Sequence, residues 1–200
     1  LKSERNNGHR FLKDAYDKGV RNFLVSEKTL SGTHFPESNI CFVPDTLEAF
    51  QKIAMNHRQR FRMPVMAITG SNGKTICKEW LFHTLGYERK VLRSPKSFNS
   101  QIGVPLSVWQ LDERYDLAIF EAGISRPGEM EKLKRIIEPT LGLFTNIGPA
   151  HSENFSGSDE KIVEKLKLFI DACIIFYCRD HQQVHFHMEN MYGSGNKKIF

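Results

Sequence analysis

The sequence lacks the features of membrane and secreted proteins. No apolar run approaches the roughly 20 residues of a transmembrane helix, and the first residues contain no signal-peptide hydrophobic region. The four cysteines include no C-x-x-C pair, so neither that kind of metal site nor a disulfide framework is indicated. We therefore expect a protein of the reducing cytoplasm, without membrane insertion. The chain does not begin with Met, and we expect it to be part of a longer protein.

Dense basic blocks are missing as well. Lys and Arg number 28 against 23 Asp and Glu, which gives a net charge of +5 spread along the chain. Because no basic stripe interleaved with aromatic residues occurs, no nucleic-acid partner is expected. The mild positive charge suits a phosphorylated ligand. A hydrophobic content of 40% and a charged content of 26% are typical of a soluble globular protein with one or two domains.

The most informative stretch is a glycine-bracketed loop, Thr69 to Thr75, with the sequence Thr-Gly-Ser-Asn-Gly-Lys-Thr. The apolar run from Val65 predicts a buried strand before it, and apolar residues at helical spacing up to Leu85 predict a helix after it. This context is typical of a phosphate-binding loop, in which glycines bring backbone N–H groups to phosphate oxygens. Lys74 would place a positive charge on the β- and γ-phosphates, and the Thr75 hydroxyl would hold Mg²⁺.

The loop does not match the longer pattern G-x-x-x-x-G-K-[ST]. Ile68 stands where the first glycine of that pattern belongs. The alternative interpretation is an ordinary strand, turn and helix with a solvated lysine. The presence of both flanking elements favours the phosphate-binding loop.

The chain divides into two predicted domains near a basic stretch that ends at Pro64. Residues 1–62 predict a small α/β domain, and residues 63–200 predict a second domain. In the second domain strands alternate with helices, which predicts an α/β fold with a mostly parallel sheet covered on both faces. We expect Trp80 and Trp109 in its core. A last helix is predicted around Val184, Met188 and Met191, and no closing element is expected after it. The predicted strands are 65–69, 117–120, 141–147 and 173–177.

Polar residues follow three of these strands, at the edge of the sheet where ligands of open α/β folds bind. They are the loop, Glu121, and the stretch Asn146 to His151. A carboxylate at the end of the strand beside a phosphate-binding loop commonly holds the Mg²⁺ of the nucleotide. A surface carboxylate is the alternative for Glu121, and His151 by itself indicates little.

Three histidines near the end of the chain could suggest a metal site. No carboxylate or cysteine ligand is evident beside them, so we expect an exposed helix face. These histidines are His181, His185 and His187.

Four motifs in order resemble the Mur ligase family, the ATP-dependent amide-forming ligases of peptidoglycan synthesis. The last two most resemble the branch that adds D-alanyl-D-alanine to a UDP-N-acetylmuramoyl tripeptide. Further stretches at residues 164–169 and 188–192 resemble a version fused to an alanine racemase. The four motifs are Ile-Thr-Gly-Ser-Asn-Gly-Lys-Thr (68–75), Phe-Asn-Ser-Gln-Ile-Gly-Val-Pro-Leu (98–106), Glu-Ala-Gly-Ile-Ser-Arg-Pro-Gly-Glu-Met (121–130) and Thr-Asn-Ile-Gly-Pro-Ala-His-Ser-Glu-Asn-Phe (145–155).

The resemblance implies a domain plan. Family members have a first domain for the UDP part of the substrate, a central ATP-binding domain and a closing domain. Residues 1–62 would be part of the first domain and residues 63–200 part of the second. Since a closing domain is not among these residues, we expect the chain alone to build a nucleotide site with little or no turnover.

The resemblance also implies roles for individual residues. The triphosphate of ATP would lie on the loop, and the catalytic residues would be Lys74, His151 and Lys165. Thr75 and Glu121 would hold a first Mg²⁺. His151 would hold a second together with a carbamylated lysine, Lys165 or alternatively Lys167; a pair of solvated helix lysines is the other interpretation. Asn99 and Ser100 would face the substrate, and Asn146 would either brace its turn or touch the ligand. The loop residues are Thr69, Gly70, Ser71, Asn72, Gly73, Lys74 and Thr75.

Two other functions remain open at this point. A folylpolyglutamate-synthase-like amide ligase shares the loop. A phosphate-loop module that binds a nucleotide without forming amides would also carry it.

Overall fold

The computed structural model describes residues 7–27, 35–148, 154–195 and 197–200. Two compact units are present, Leu1–Ile53 and Ala54–Phe200. The predicted boundary between residues 62 and 63 stays a prediction about domains. His151 and its neighbours from 149 to 153 lie outside the described residues.

The first unit contains a small parallel sheet. A 3-10 turn, Gly8–Phe11, leads into helix α1, Leu12–Asp17, and strands β1, Asn22–Val25, and β2, Asn39–Phe42, pair in parallel. Helix α2, Thr46–Arg58, begins in this unit and ends in the second. Asp45 caps it, because its Oδ1 accepts hydrogen bonds from the backbone N–H groups of Leu47 and Glu48 at 2.7 and 3.0 Å.

The second unit is built on a six-stranded parallel sheet, which confirms the predicted α/β class. The strands are β3, Val65–Thr69; β4, Val91–Arg93; β5, Leu117–Glu121; β6, Leu141–Phe144; β7, Ile174–Tyr177; and β8, Lys198–Ile199. Their order across the sheet is β4-β5-β3-β6-β7-β8, with every pair parallel. The phosphate-loop strand β3 therefore lies between β5 and β6. Because the three strands are parallel, they all end at the same edge of the sheet.

Within the described residues, five helices follow the strands of this unit. They are α3, Lys74–Leu85; α4, Gly103–Val108; α5, Glu129–Ile137; α6, Ser158–Leu166, which continues into a 3-10 turn, Lys167–Phe169; and α7, Gln182–Tyr192. None of the helices in the described ranges is long and apolar enough to cross a membrane.

Both faces of the sheet are buried, so β3 and β5 are apolar up to their last residues, Thr69 and Glu121, rather than alternating with polar residues. In β3, Val65 and Ala67 belong to the larger core with residues of α4, α5, α6 and α7, whereas Met66 and Ile68 pack with α3 on the opposite face. Gly142 of β6 gives room to the ring of Phe169, since a Cβ there would lie 2.5 Å from the ring. The 3-10 turn after α6 thus packs closely against β6.

The predicted core position of both tryptophans is wrong. Trp80 is 70% exposed and Trp109 is 53% exposed. In α3 the partly buried apolar face is formed by Cys77, Leu81 and Leu85, which leaves Trp80 pointing away from the sheet. Trp109 follows α4 and packs against the ring of His57, with 4.6 Å between ring centroids.

Several short elements differ from the predictions. The strand predicted at 141–147 ends at Phe144, because the residues after it bind the phosphate loop instead of continuing the sheet. Strand β8 is an element near the end of the chain that was not expected. It pairs with β7, so its position depends on a distant strand rather than on its own two residues.

Candidate functional site

The loop between β3 and α3 has a backbone that requires glycine at two positions. Gly70 has φ +143° and Gly73 has φ +79°, a range that residues with a side chain rarely adopt. A Cβ on Gly70 would also lie 2.0 Å from the Thr145 hydroxyl oxygen and 2.9 Å from the Asn146 carbonyl oxygen. The two glycines of the motif therefore set the path of the loop.

The segment after β6 braces this loop. The N–H groups of Ser71 and Asn72 donate to the carbonyl oxygen and the Oδ1 of Asn146, at 2.8 and 3.0 Å. The Thr145 hydroxyl donates to the carbonyl of Asn72 at 2.6 Å, and the Ser71 hydroxyl lies 3.0 Å from the N–H of Gly148. Of the two roles considered for Asn146, the structure thus shows bracing of the neighbouring loop.

Lys74 is the first residue of α3 and curls back over the loop. Its Nζ donates to the carbonyl oxygens of Gly70 and Ser71 at 2.9 and 3.1 Å. Burial lowers the pKa of Lys74, while the charge of Glu121 acts in the opposite direction. The ammonium group accordingly lies at the loop, where the sequence placed it, and is held by backbone oxygens of the loop itself.

Thr75 and Glu121 face each other as the sequence predicted. The Thr75 hydroxyl donates to Oε2 of Glu121 at 3.1 Å and lies 3.1 Å from the hydroxyl of Ser97. Glu121 is the last residue of β5 and is fully buried. The interpretation of Glu121 as a surface carboxylate is therefore wrong.

This pair of residues fits a magnesium ion chemically. Hydroxyl and carboxylate oxygens are the ligands that Mg²⁺ takes in proteins. Within the described residues, Oε1 of the buried Glu121 accepts no hydrogen bond of regular geometry, although the Lys78 ammonium lies 2.9 Å away as an ion-pair partner. The carboxylate turns its other oxygen, Oε2, toward the Thr75 hydroxyl, and this pair of oxygens is suited to bind a cation.

Lys165 lies at the loop, and Lys167 does not. Nζ of Lys165 donates to the carbonyl oxygen of Gly70 at 3.1 Å, and the residue is 3% exposed. Burial, together with the charges of Lys74 and Lys161, lowers the pKa of Lys165 to about 7. Lys167 instead forms an ion pair with Glu164, with 2.6 Å between Nζ and Oε2. The interpretation of Lys165 as a solvated helix residue is therefore wrong.

The metal ligand His151 falls outside the described residues, and its role stays a prediction. In the part of the chain that the structure describes, no group of three or more His, Cys, Asp and Glu side chains could hold a metal ion. Two of the late histidines have other partners: His187 lies 2.8 Å from a carboxylate oxygen of Asp159, and His185 lies 2.6 Å from the Tyr177 hydroxyl.

The predicted substrate residues lie in the segment before α4. The Asn99 carbonyl accepts a hydrogen bond from the N–H of Gly123 at 2.8 Å, which ties the segment to the end of β5. The Ser100 hydroxyl accepts from the N–H of Gly103 at 3.1 Å, as at a helix N-terminus. Both contacts are structural, and contact with substrate stays a prediction for both residues.

The Thr69 hydroxyl joins two strand ends of the sheet. It is buried and donates to the carbonyl of Ala122 at 2.9 Å, which connects the ends of β3 and β5. Contact of Thr69 with the triphosphate stays a prediction.

Two buried lysines of the site were not predicted from the sequence. Lys78, four residues after Lys74, forms an ion pair with Glu121. Lys161, four residues before Lys165, donates from Nζ to the carbonyl of Gly148 at 3.2 Å. Spacing by four residues from a site lysine on the same helix is the signal that could have found them.

Comparison with known proteins agrees with this geometry. The family model described as Mur ligase middle domain matches residues 68–200. The UDP-N-acetylmuramoyl-tripeptide–D-alanyl-D-alanine ligase of Bacillus subtilis is 34% identical over 203 residues, covering 98% of this chain and 44% of that relative. The ligase of the same name from Synechocystis is 35% identical, covering 82% of this chain and 36% of the relative. The chain thus spans less than half the length of these relatives.

Solved structures give the same result. MurF from Acinetobacter baumannii superposes with a TM-score of 0.88 at 25% identity, covering 100% of this chain and 43% of that one. MurF ligase from Thermotoga maritima in complex with ADP gives 0.85 at 25% identity, covering 100% and 45%. A folylpolyglutamate synthase of Mycobacterium tuberculosis gives 0.59 at 11% identity over 76% of this chain and 45% of that one, which shows the fold alone. The family model and the geometry of the loop together show that this chain belongs to the Mur ligase family.

Proposed function

We propose that the chain is the nucleotide-binding part of an ATP-dependent ligase that joins D-alanyl-D-alanine to a UDP-N-acetylmuramoyl tripeptide in the cytoplasm. The observation that carries the proposal is the meeting of Lys74, Thr75, Glu121 and Lys165 at one loop. The names of relatives at 34% and 35% identity support the substrates. The first unit would then take the UDP part of the substrate.

The loop residues act by binding and by electrostatics. Backbone N–H groups at the start of α3 and the ammonium of Lys74 would take the oxygens of the triphosphate. Thr75 and Glu121 would hold Mg²⁺, which supplies positive charge to the phosphate oxygens as negative charge moves toward the leaving group. Stabilisation of that charge in a buried site is commonly the largest contribution to catalysis.

The proposed reaction has two steps. A carboxylate oxygen of the tripeptide attacks the γ-phosphorus of ATP, the bond from that phosphorus to the bridging oxygen breaks, and ADP leaves. The amine of D-alanyl-D-alanine then attacks the carbonyl carbon of the acyl phosphate, loses a proton, and displaces inorganic phosphate. Lys74, at the loop, would stabilise the transferred phosphoryl group in both steps.

Lys165 is proposed as a second metal-holding residue after carbamylation. A neutral amine reacts with CO₂ to give a carbamate and a proton, so the ammonium must first lose its proton. The pKa of about 7 leaves a substantial neutral fraction at neutral pH. The product is an anionic oxygen ligand of the kind that Mg²⁺ prefers. Its proposed partner His151 lies outside the described residues.

The substitution Lys74→Ala tests the binding step. Loss of a charged hydrogen-bond donor to phosphate should weaken ATP binding about 10- to 100-fold, measured by calorimetry with excess Mg²⁺. Lys132→Ala, which removes an exposed lysine of α5, is the matched control and should leave the affinity unchanged. Equal affinities of wild type and Lys74→Ala would remove the loop from the proposed site.

The choice of substrates is tested on the gene product that carries this chain. Incorporation of D-alanyl-D-alanine into the muramoyl tripeptide supports the proposal, whereas glutamate transfer to folate would replace it with the folylpolyglutamate activity. ATP binding without either transfer would favour a non-catalytic nucleotide-binding module. The racemase domain stays a prediction, which the gene sequence beyond Phe200 tests directly.

A further inference from the structure

Lys78 has an environment that few lysines have. Its side chain is fully buried on the sheet-facing side of α3. Nζ lies 2.9 Å from Oε1 of Glu121 and 3.3 Å from Oε1 of Glu79, and it donates to the carbonyl oxygen of Ser94 at 2.8 Å. A buried charge requires such partners, so the position of this ammonium group is strongly fixed.

The contact with Glu121 determines what the carboxylate presents to the site. One oxygen, Oε1, faces Lys78, and the other, Oε2, accepts the hydrogen bond of the Thr75 hydroxyl. Rotation of the carboxylate about its Cγ–Cδ bond would break both contacts together. Lys78 and Thr75, one turn apart on α3, thus hold the carboxylate from two sides.

The segment after β4 is held by the same ammonium group. Lys78 also donates to the carbonyl oxygen of Lys96, a residue with φ +47°, a value that a lysine rarely adopts. The next residue, Ser97, lies 3.1 Å from the Thr75 hydroxyl. Backbone strain at this position is consistent with a segment whose carbonyl is turned toward a fixed donor.

We propose that Lys78 is a positioning residue of the nucleotide site, which acts by orienting the Glu121 carboxylate toward Thr75 and the magnesium ion held there. The proposal rests on the proposed function, because it assumes that nucleotide and magnesium bind at this loop. Lys78 does not touch the nucleotide itself in this arrangement. Its contribution should therefore be seen in the dependence of nucleotide affinity on Mg²⁺, and not in the affinity measured without metal.

The experiment compares the affinity for ATP in Mg²⁺ with the affinity in EDTA, by calorimetry, for wild type and Lys78→Met. Methionine keeps the length of the side chain and removes its charge. Because loss of a residue that orients a metal ligand typically costs 10- to 100-fold in metal affinity, we expect the gain from Mg²⁺ to fall at least about tenfold. The affinity in EDTA should change less than about twofold, since Lys74 still binds the phosphates. Lys132→Met, an exposed lysine on α5, should leave both affinities unchanged.

A double-substitution cycle covers the case in which Lys78→Met does not fold. Lys78→Met with Glu121→Gln removes both charges and leaves no unpaired buried ion. If Lys78 acts through Glu121, the double variant and Glu121→Gln alone should show the same gain from Mg²⁺ within about twofold. A further tenfold loss in the double variant would contradict the proposal, as would an unchanged or larger gain in Lys78→Met. Wild type that binds no ATP in Mg²⁺ would remove the proposed function and this proposal together, whereas the other outcomes concern Lys78 alone.

Discussion

At the scale of single residues, three lysine ammonium groups lie at the phosphate loop and at the segment that braces it. Nζ atoms of Lys74 and Lys165 both donate to the carbonyl oxygen of Gly70, and Lys161 donates to Gly148 beside them. Burial and like charges at short range both favour the loss of a proton from an ammonium group. The effect is largest for Lys165, whose pKa falls to about 7.

This shift predicts the pH dependence of stability. Below about pH 7 the Lys165 ammonium is charged in the folded and the unfolded chain. The full free-energy cost of burying that charge then lowers the stability of the folded chain. Between pH 7 and its ordinary value of 10.5, the unfolded chain binds the extra proton, so the free energy of unfolding should rise with pH. The rise from this one group should be about 1 kcal/mol per pH unit.

Lys165→Met should remove that rise. The measurement is urea unfolding of wild type and variant at several pH values from 7 to 10, in CO₂-free buffer with EDTA, so that neither carbamate nor metal contributes. We expect the variant to show a flatter curve. Parallel curves for the two proteins would mean that Lys165 keeps its ordinary pKa in the folded chain.

At the scale of helices and strands, α6 connects the phosphate loop with a second helix, α5. One side of α6 carries Lys161 and Lys165 toward the loop region, and Glu164 reaches the N-terminus of α5. Oε1 of Glu164 accepts from the N–H groups of Gly128 and Met130 at 2.8 and 3.1 Å. An acidic side chain thus satisfies donors that α5 cannot satisfy internally and also opposes the positive end of its dipole.

Glu164→Ala should destabilise the protein by about 1–3 kcal/mol, since it leaves buried N–H groups without their acceptor. Glu164→Gln keeps an oxygen acceptor and should recover more than half of the loss. Chemical denaturation of the two variants measures both effects. Glu113→Ala, at an exposed residue of the turn before β5, is a comparison for the loss of a carboxylate alone. Equal stability of Glu164→Ala and wild type would remove the capping role.

Local patterns predicted the elements whose structure depends on local chemistry. The phosphate loop can be recognised without knowledge of distant contacts. Its two glycines, Lys74 and the apolar strand before them are each required by the conformation or the charge of the loop itself. Trp80 and β8 could not be placed in this way. The side of α3 that meets the sheet includes the charged residue Lys78, whose buried partner Glu121 is distant in sequence, so the pattern of apolar residues does not identify it. Two residues form β8 only because β7 lies beside them.

At the scale of the whole molecule, the candidate site lies within the second unit. Its residues come from the ends of β3 and β5, from the segment after β6, and from α3 and α6, with 95 positions separating Lys165 from Gly70. Sequence reasoning predicted the convergence of the strand ends because parallel sheets follow a general rule. It favoured Lys165 and kept Lys167 as the alternative, because only the packing of α6 determines which lysine faces the loop.

A substitution in the core of the first unit should leave this site intact. Val25→Ala, at a residue only 1% exposed, should lower the stability of that unit by roughly 2 kcal/mol. Both tryptophans, Trp80 and Trp109, lie in the second unit, so their fluorescence follows that unit alone. We expect ADP affinity within about twofold of wild type and an unchanged fluorescence transition in urea.

The control for this experiment is Val104→Ala, a fully buried residue of α4 in the second unit. It should move the fluorescence transition to lower urea. If Val25→Ala moved that transition as far as Val104→Ala does, the two compact units would unfold as one.

If the proposed function holds, the hydrogen bonds between Lys74 and its own loop would affect turnover. A bound triphosphate would take the Lys74 ammonium away from two backbone oxygens, so the binding free energy would gain only the difference between the old hydrogen bonds and the new ones. The affinity for the nucleotide would be lower as a result. After ADP dissociates, the same two carbonyl oxygens would accept hydrogen bonds from the ammonium group again, which would favour product release.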